Sequence, residues 1–301
     1  MFKNNLKIKS YSAWVAVSII WGTTYLAIKI GVEGMPPFLF ASPRWILAGI
    51  IYLIILKWRG YRFPQKSDYK HIAVVGLLLI GVANGFVVVA EQWIPSGLAA
   101  ILITTVPFVI VILESVVLKK RRLNILIIGG VIIGFIGVLL ILGNNLNLLL
   151  KPEYSLGIIL VSIGLLSWGS GSVYSKYNKL TVHPLMGAAF QMLFAGVFQL
   201  LIGIAFGEVQ NFYMTNESLL ALLYLFFFGS MIAYGSYIYA IEHLPISFVS
   251  TYAYINPVIA LFIGWLFLDE ILTAQILFGA CIILLGVYLV NKGNKNNLSD
   301  Q

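Results

Sequence analysis

Residues 21–29 read WGTTYLAIK, and residues 168–176 read WGSGSVYSK. Trp, Gly, a small hydroxyl residue and Lys recur at matching places, 147 residues apart. Both phrases lie inside apolar runs, and the echo continues outward from them. Pro37 and the pair Ala48-Gly49 match Pro184 and Ala195-Gly196 at the same offset. Three residues are then gained. At the new offset of 150, Gly85, Ala90, Pro95, Pro107 and Gly129 match Gly235, Ala240, Pro245, Pro257 and Gly279. A register held over that length predicts two homologous units, residues 1–150 and 151–301.

Composition fixes the solvent. Of the 301 residues, 60% are hydrophobic and 10% charged, with a mean hydropathy of +0.95. Soluble domains carry about a quarter charged residues. So little charge cannot cover the surface of a water-soluble protein, which predicts an all-α integral membrane protein. Apolar runs of about 20 residues match the thickness of a hydrocarbon core at 1.5 Å per residue. They predict ten transmembrane helices: 12–31, 38–57, 71–91, 97–118, 124–143, 156–176, 184–206, 218–241, 246–268 and 272–291. The first run follows Lys3, Lys7 and Lys9 but lacks a small-residue cleavage pattern, so it is read as a retained span and not as a signal peptide.

Charge gives direction. All of the 19 basic residues except Lys29, Arg44 and Lys151 fall at one side of the ten runs, including the cluster Lys119-Lys120-Arg121-Arg122. Glu33, Glu91, Glu153, Glu208, Glu217, Asp269 and Glu270 fall at the other. The positive-inside rule then places both termini in the cytoplasm of a multi-pass protein of the cell (inner) membrane. The net charge of +8 is thereby assigned to loops facing an anionic leaflet, with no nucleic acid as partner. Five helices per unit is an odd number, so the second unit enters the bilayer inverted. Inverted repeats are a transporter signature, with the substrate site near the midplane where the units meet.

The stretches SIIWGTTYLAIKIGVEGMPP, GVANGFVVVAEQWIPSGLAAILITTVP, SWGSGSVYSK and STYAYINPVIALFIGWLFLDE resemble the EamA-type permeases of the drug/metabolite transporter superfamily. The resemblance spans nearly the whole chain. It implies two inverted EamA repeats, export of amino acids or other small metabolites, a cavity lined by helices 1–4 and 6–9, and peripheral helices 5 and 10.

Several residues are candidates for work within that frame. Pro107 and Pro257 lie near the middle of spans 4 and 9 and are repeat mates. An interior proline removes a hydrogen bond, here freeing the carbonyls of Ile103 and Ala253. Those carbonyls need a partner or a wet cavity, and Thr104, Thr105, Tyr252, Tyr254 and Asn256 stand beside them. The two prolines are therefore expected hinges. Trp21, Tyr25, Trp168, Tyr174, Tyr234 and Tyr237 belong to spans that the resemblance places around the cavity, and Asn84 is expected to line it too. Trp45, Trp58, Trp93 and Trp265 are read as interfacial anchors. Intramembrane charge is costly and functional by default, so Lys29, Arg44 and Glu91 are expected to meet as an outer latch, with Glu91 bonding one or both cations. Lys176 and Gln191 are the matching inner positions, Glu242 lies one position beyond the mate of Glu91, and Glu114 is a second partner for Lys176. The glycines of Gly130-x-x-x-Gly134 predict close helix packing within the monomer.

Other classes fit poorly. The single cysteine, Cys281, and three dispersed histidines exclude an intramolecular disulfide and argue against a metal centre, and no cofactor is expected. No Walker loop marks ATP use. Asp68, Asp269 and Asp300 lie at span ends or tails, so the paired catalytic groups of an intramembrane enzyme are not seen. The expected function is secondary active transport by alternating access, exporting a small metabolite such as an amino acid, with protons as a candidate coupling partner through Glu91 or Glu114. The alternative is a multidrug or other small-molecule facilitator without proton coupling.

Overall fold

A computed structural model describes residues 2–118, 124–142, 150–259 and 274–299. The described residues are helical, with no strand among them. Eight helices are long and apolar enough to cross a membrane. We label the helices α1 (Phe2–Glu33), α2 (Pro37–Trp58), α3 (Lys66–Ala90), α4 (Ser96–Val117), α5 (Ile125–Leu142), α6 (Ser155–Tyr177), α7 (Pro184–Ala205), α8 (Asn216–His243), α9 (residues 246–259) and α10 (Ala274–Ser299). Helix α5 is a shorter apolar helix, and α9 begins with the single turn Ile246–Val249. The second half of the expected ninth span, with Trp265, Asp269 and Glu270, lies outside the described residues, as does the basic cluster at 119–122.

Proline sets where helices begin. Pro37 and Pro184 occupy the first turns of α2 and α7, and Pro95 and Pro245 precede α4 and α9. Proline at a helix start loses nothing, because the first N–H groups have no partner within the helix. The exposed N–H groups of α2 are met from elsewhere in the chain: Glu208 accepts from Phe38 N at 3.2 Å and Leu39 N at 2.8 Å. A capping box of Thr215 and Ser218 starts α8. Asp68 closes a box with Gln65 and also accepts from the Thr181 hydroxyl at 2.6 Å, tying α3 to the segment before α7.

The helices do not sort into separate halves. Helix α2 packs on α7, α3 on α6 and α7, α1 on α8, and α5 on α10. Two long helices widen at the same place. Leu77–Asn84 in α3 and Leu225–Tyr234 in α8 are π-helical, and each ends just before the matched glycines Gly85 and Gly235. Such wide turns shift the ladder by one carbonyl and are frequent at functional sites.

The α5–α10 seam is built from backbone. A methyl added to Gly286 would stand 2.6 Å from Gly134 N and 2.7 Å from Gly130 O, and one added to Gly130 would stand 2.7 Å from Gly286 O. No side chain fits between the helices, which is how small residues let apolar helices associate where lipid offers no hydrophobic drive. The Gly130 and Gly134 pair therefore packs within the monomer, as its spacing predicts. Gly286→Val should lower the thermal midpoint in detergent, at a cost of about 1–3 kcal/mol from overpacking. Gly129→Ala, whose methyl meets no atom within 4 Å, should not lower it.

Candidate functional site

Trp21 and Trp168, the first residues of the echoed phrase, meet in the molecule's interior. Their rings contact edge-on with centroids 5.3 Å apart. Tyr237 lies 5.0 Å from Trp21 and 5.1 Å from Trp168, and Tyr252 lies 5.0 Å from Trp21. Edge-on aromatic pairs at these distances are favourable beyond their burial. Their polar tips are also engaged. Trp168 donates to the Tyr237 hydroxyl at 2.9 Å, Ser172 and Tyr237 share a bond of 2.6 Å, and Trp21 reaches the Gly229 carbonyl at 3.3 Å. The four rings form a floor.

A cavity stands on one side of that floor. Helix α1 contributes Trp21, Thr24, Tyr25 and Ile28, α2 contributes Arg44 and Trp45, and α3 contributes Asn84. Leu165 and Trp168 of α6, Gly229 of α8 and Tyr252 of α9 complete the wall with residues of α4. Arg44 is 2% exposed. Its Nη2 donates to Asn84 Oδ1 at 2.7 Å, its guanidinium lies 4.7 Å over the Trp45 ring, and Trp45 Nε1 donates to the same Asn84 oxygen at 3.1 Å. Farther along the same helices, past Trp168 on α6 and Tyr237 on α8, a second, more polar pocket is lined by His71, Ser175, Asn178, Gln191 and Glu242.

Contacts recur at matched positions. Gln191 is the mate of Arg44 and Tyr234 the mate of Asn84. Tyr234 donates to Gln191 Oε1 at 2.8 Å, both side chains being buried. The lysines behave likewise. Lys29 donates to the backbone carbonyl of Glu91 at 2.9 Å, and its mate Lys176 donates to that of Ile241, the mate of Glu91, at 2.7 Å. Lys176 also reaches the carbonyls of Glu242 and Leu244 at 3.3 and 2.9 Å. Each ammonium thus caps the C-terminal end of the third long helix of its unit, where bare carbonyls and the helix dipole favour a cation.

The expected outer latch needs correction. Neither Lys29 nor Arg44 bonds the Glu91 carboxyl. Lys29 takes the backbone carbonyl and pairs with Glu33 at 3.4 Å, and Arg44 takes Asn84. Glu91 is fully buried, and neither carboxyl oxygen has a hydrogen-bond partner among the described residues. The reason is local: Glu91 follows the last turn of α3, so its own carbonyl is the nearer acceptor for Lys29. Glu114 accepts from the Tyr177 hydroxyl at 2.6 Å.

The remaining candidates divide. Thr104 and Thr105 do not line the cavity; their hydroxyls turn back to the carbonyls of Ile101 and Leu102 at 2.5 and 2.8 Å. They form the break in α4 just before Pro107. In α9 the break falls at Ser250-Thr251, six residues before Pro257, so the two prolines do not sit at equivalent kinks. Tyr254 points away, donating to Val131 O of α5 at 3.0 Å. Tyr174 bonds His71 at 2.6 Å beside the second pocket. Asn256 stands 3.5 Å from the Tyr25 hydroxyl, behind the cavity wall. Trp45, read from sequence as an interfacial anchor, is instead 3% exposed and lines the cavity. The signal was its neighbour: a tryptophan adjoining a buried arginine has a cation to cover. Trp58 and Trp93 are exposed, as interfacial rings would be.

The EamA-like transporter family matches residues 8–143 and again residues 155–292. The "Uncharacterized inner membrane transporter YedA" of Escherichia coli K12 is 38% identical over 288 residues, covering 93% of this chain and 92% of that protein. The "Uncharacterized transporter YoaV" of Bacillus subtilis is 26% identical, covering 91% of this chain and 94% of its own length. The chloroplastic "WAT1-related protein At3g02690" of Arabidopsis thaliana is 26% identical over 93% of this chain and 69% of its own. One crystal structure aligns over 95% of this chain and 98% of its own with a TM-score of 0.77 at 18% identity, a likeness of fold alone.

The matched pairs differ in charge, and that difference is measurable. Asn84→Leu removes the acceptor of both Arg44 and Trp45 and strands a buried cation, at an expected cost of about 2–3 kcal/mol. Tyr234→Phe removes one neutral bond from Gln191, at about 1 kcal/mol. Thermal unfolding in detergent should rank the two in that order.

Proposed function

The chain belongs to the EamA-like transporter family, and from that premise we propose that it moves a small metabolite such as an amino acid out of the cell by alternating access. It is a multi-pass inner-membrane transporter of small molecules. In our reading its ten helices form two inverted units, 1–150 and 151–301, with both termini in the cytoplasm. One observation carries this reading: Trp21 and Trp168 meet at the floor of the central cavity, and a second pocket lies farther along the same helices. Matched pairs accompany the two, Arg44 with Asn84 beside one pocket and Gln191 with Tyr234 beside the other. Exchange of roles between the units would open the two pockets in turn. The breaks at Thr104-Thr105 and Ser250-Thr251, near Pro107 and Pro257, supply places where α4 and α9 can bend. A cycle of this kind is secondary transport, since no ATP-binding loop is present in the sequence.

Glu91 is the coupling carboxyl in this scheme. A buried carboxyl without hydrogen bonds is a costly anion, so it is a group that gains by carrying a proton. Glu114 serves less well because Tyr177 already donates to it. Lys29 and Arg44 are the cations whose charge reaches Glu91.

Two experiments test the proposal. In a Cys281→Ser background, an impermeant maleimide applied to intact cells should label Phe212→Cys, whereas Tyr61→Cys should react only after permeabilisation; labelling of both from the same side ends the inverted topology, and the swapped pattern ends the cytoplasmic placement of the termini. In proteoliposomes an imposed pH gradient should drive substrate flux in wild type. Glu91→Gln should abolish that drive and keep substrate exchange at zero gradient. A variant that still responds to the gradient would remove Glu91 from coupling and leave the facilitator reading.

A further inference from the structure

Arg44 is the one charged side chain among the described residues that line the central cavity. It is almost wholly buried, and its Nε has no hydrogen-bond partner among the described residues. The partner of Nη2 is the neutral amide of Asn84, and no ion pair among the described residues engages Arg44. Glu91 acts on Arg44 only through space, with no hydrogen bond or ion pair between them, and a guanidinium removed from water without a charged partner in contact is expensive to hold. Its fork of N–H groups matches a planar oxyanion with two oxygens. Gly229 stands beside it on the cavity wall, close enough that an added methyl would touch Nη1 at 3.8 Å, an ordinary contact.

The rest of the wall selects the body attached to the anion. Trp21, Tyr25, Trp168 and Tyr252 present ring faces and edges, with Ile28 and Leu165 between them. No carboxylate lines the cavity among the described residues. The Asn84 oxygen already accepts from Arg44 and from Trp45. A ligand ammonium would therefore shed its water without a charged acceptor to replace it.

We propose that Arg44 anchors an anion in this cavity, and that the cargo is a small monocarboxylate with an apolar, aromatic-sized body. The carboxylate would take the free edge of the guanidinium while the body lies on the rings above the floor. This narrows the small-metabolite cargo of the transporter proposed above to a monocarboxylate, setting the amino-acid example aside, and rests on that reading of the cavity as the transport site.

The test uses the full-length protein in detergent, with quenching of tryptophan fluorescence and the shift in thermal midpoint as readouts, because Trp21, Trp45 and Trp168 all line the cavity. The probes are 3-phenylpropionate, 3-phenylpropylamine and phenylalanine, which share a ring and chain but differ in charge. The expected result is binding of the carboxylate at least about tenfold tighter than the amine or the amino acid. Arg44→Gln should weaken carboxylate binding by about tenfold or more, and Arg44→Lys, which keeps charge but loses the fork, by less. Should Arg44→Gln fail to fold, Arg44→Lys and the wild-type series decide. Equal or tighter binding of the amine or of phenylalanine, undiminished affinity in the folded Gln variant, or no binding of 3-phenylpropionate at about 10 mM each overturns the assignment. Flux is scored separately: liposomes that contain carboxylate-binding protein yet pass no carboxylate refute the transport reading and leave the anion site standing.

Discussion

Backbone polar groups in lipid have no water to fall back on, and this constraint organises the molecule. A regular helix satisfies itself except at its ends and wherever its ladder is interrupted. The chain interrupts α3 and α8 with wide turns, breaks α4 and α9, and ends α3 and α8 in tight corners. Each interruption is answered. Lys29 and Lys176 reach the terminal carbonyls of α3 and α8. Thr104 and Thr105 return their hydroxyls to the turn before them, and Thr251 does the same to Phe248 O at 2.6 Å. Several of these interruptions border the central cavity: the wide turns supply Ala83, Asn84 and Gly229 to its wall, and Ile103, Val106 and Tyr252 flank the breaks; such backbone is tolerated where it is buried in protein or lines a wet cavity.

Against that shared framework the two units differ in charge. The interior contact of α2 with α3 is cationic, Arg44 on Asn84. The contact of α7 with α8 joins their mates through neutral partners, with the donor now on α8: Tyr234 to Gln191. In the proposed cycle, two copies that pack alike but differ in charge would give a pathway whose ends are mechanically similar and electrically distinct. Helix packing is conservative of volume, whereas a side chain facing a cavity is free to change its chemistry.

Much of the fold is readable in the sequence, because hydropathy and proline placement act through short-range physics. Where the chain is described, the apolar runs are helices within a few residues, although α1 begins at Phe2 and not near residue 12 and α10 runs on to Ser299; the ninth run is described only to residue 259. Trp21 meets Trp168, its echo mate, and Tyr25, Asn84 and Tyr252, expected around the cavity on other grounds, stand along its wall. The features that sequence misses depend on competition between nearby acceptors. Nothing in the string WGTTYLAIK says whether Lys29 will choose the carboxylate of Glu91 or its backbone oxygen. Nor does the proximity of Thr104 to Pro107 reveal that its hydroxyl bonds locally. Trp45 is misjudged when position along a helix is weighed above the residue beside it. The π-helical widenings leave no mark that periodicity alone detects.

The glycine seam between α5 and α10 has a mechanical meaning. With backbone against backbone at Gly130, Gly134 and Gly286, the last helix of each unit is strapped to the other at a distance no side-chain rearrangement can loosen. In the proposed cycle that strap acts as a fulcrum. Displacement would be smallest beside it and would grow along the lever toward α1 and α6, where the echoed tryptophans stand.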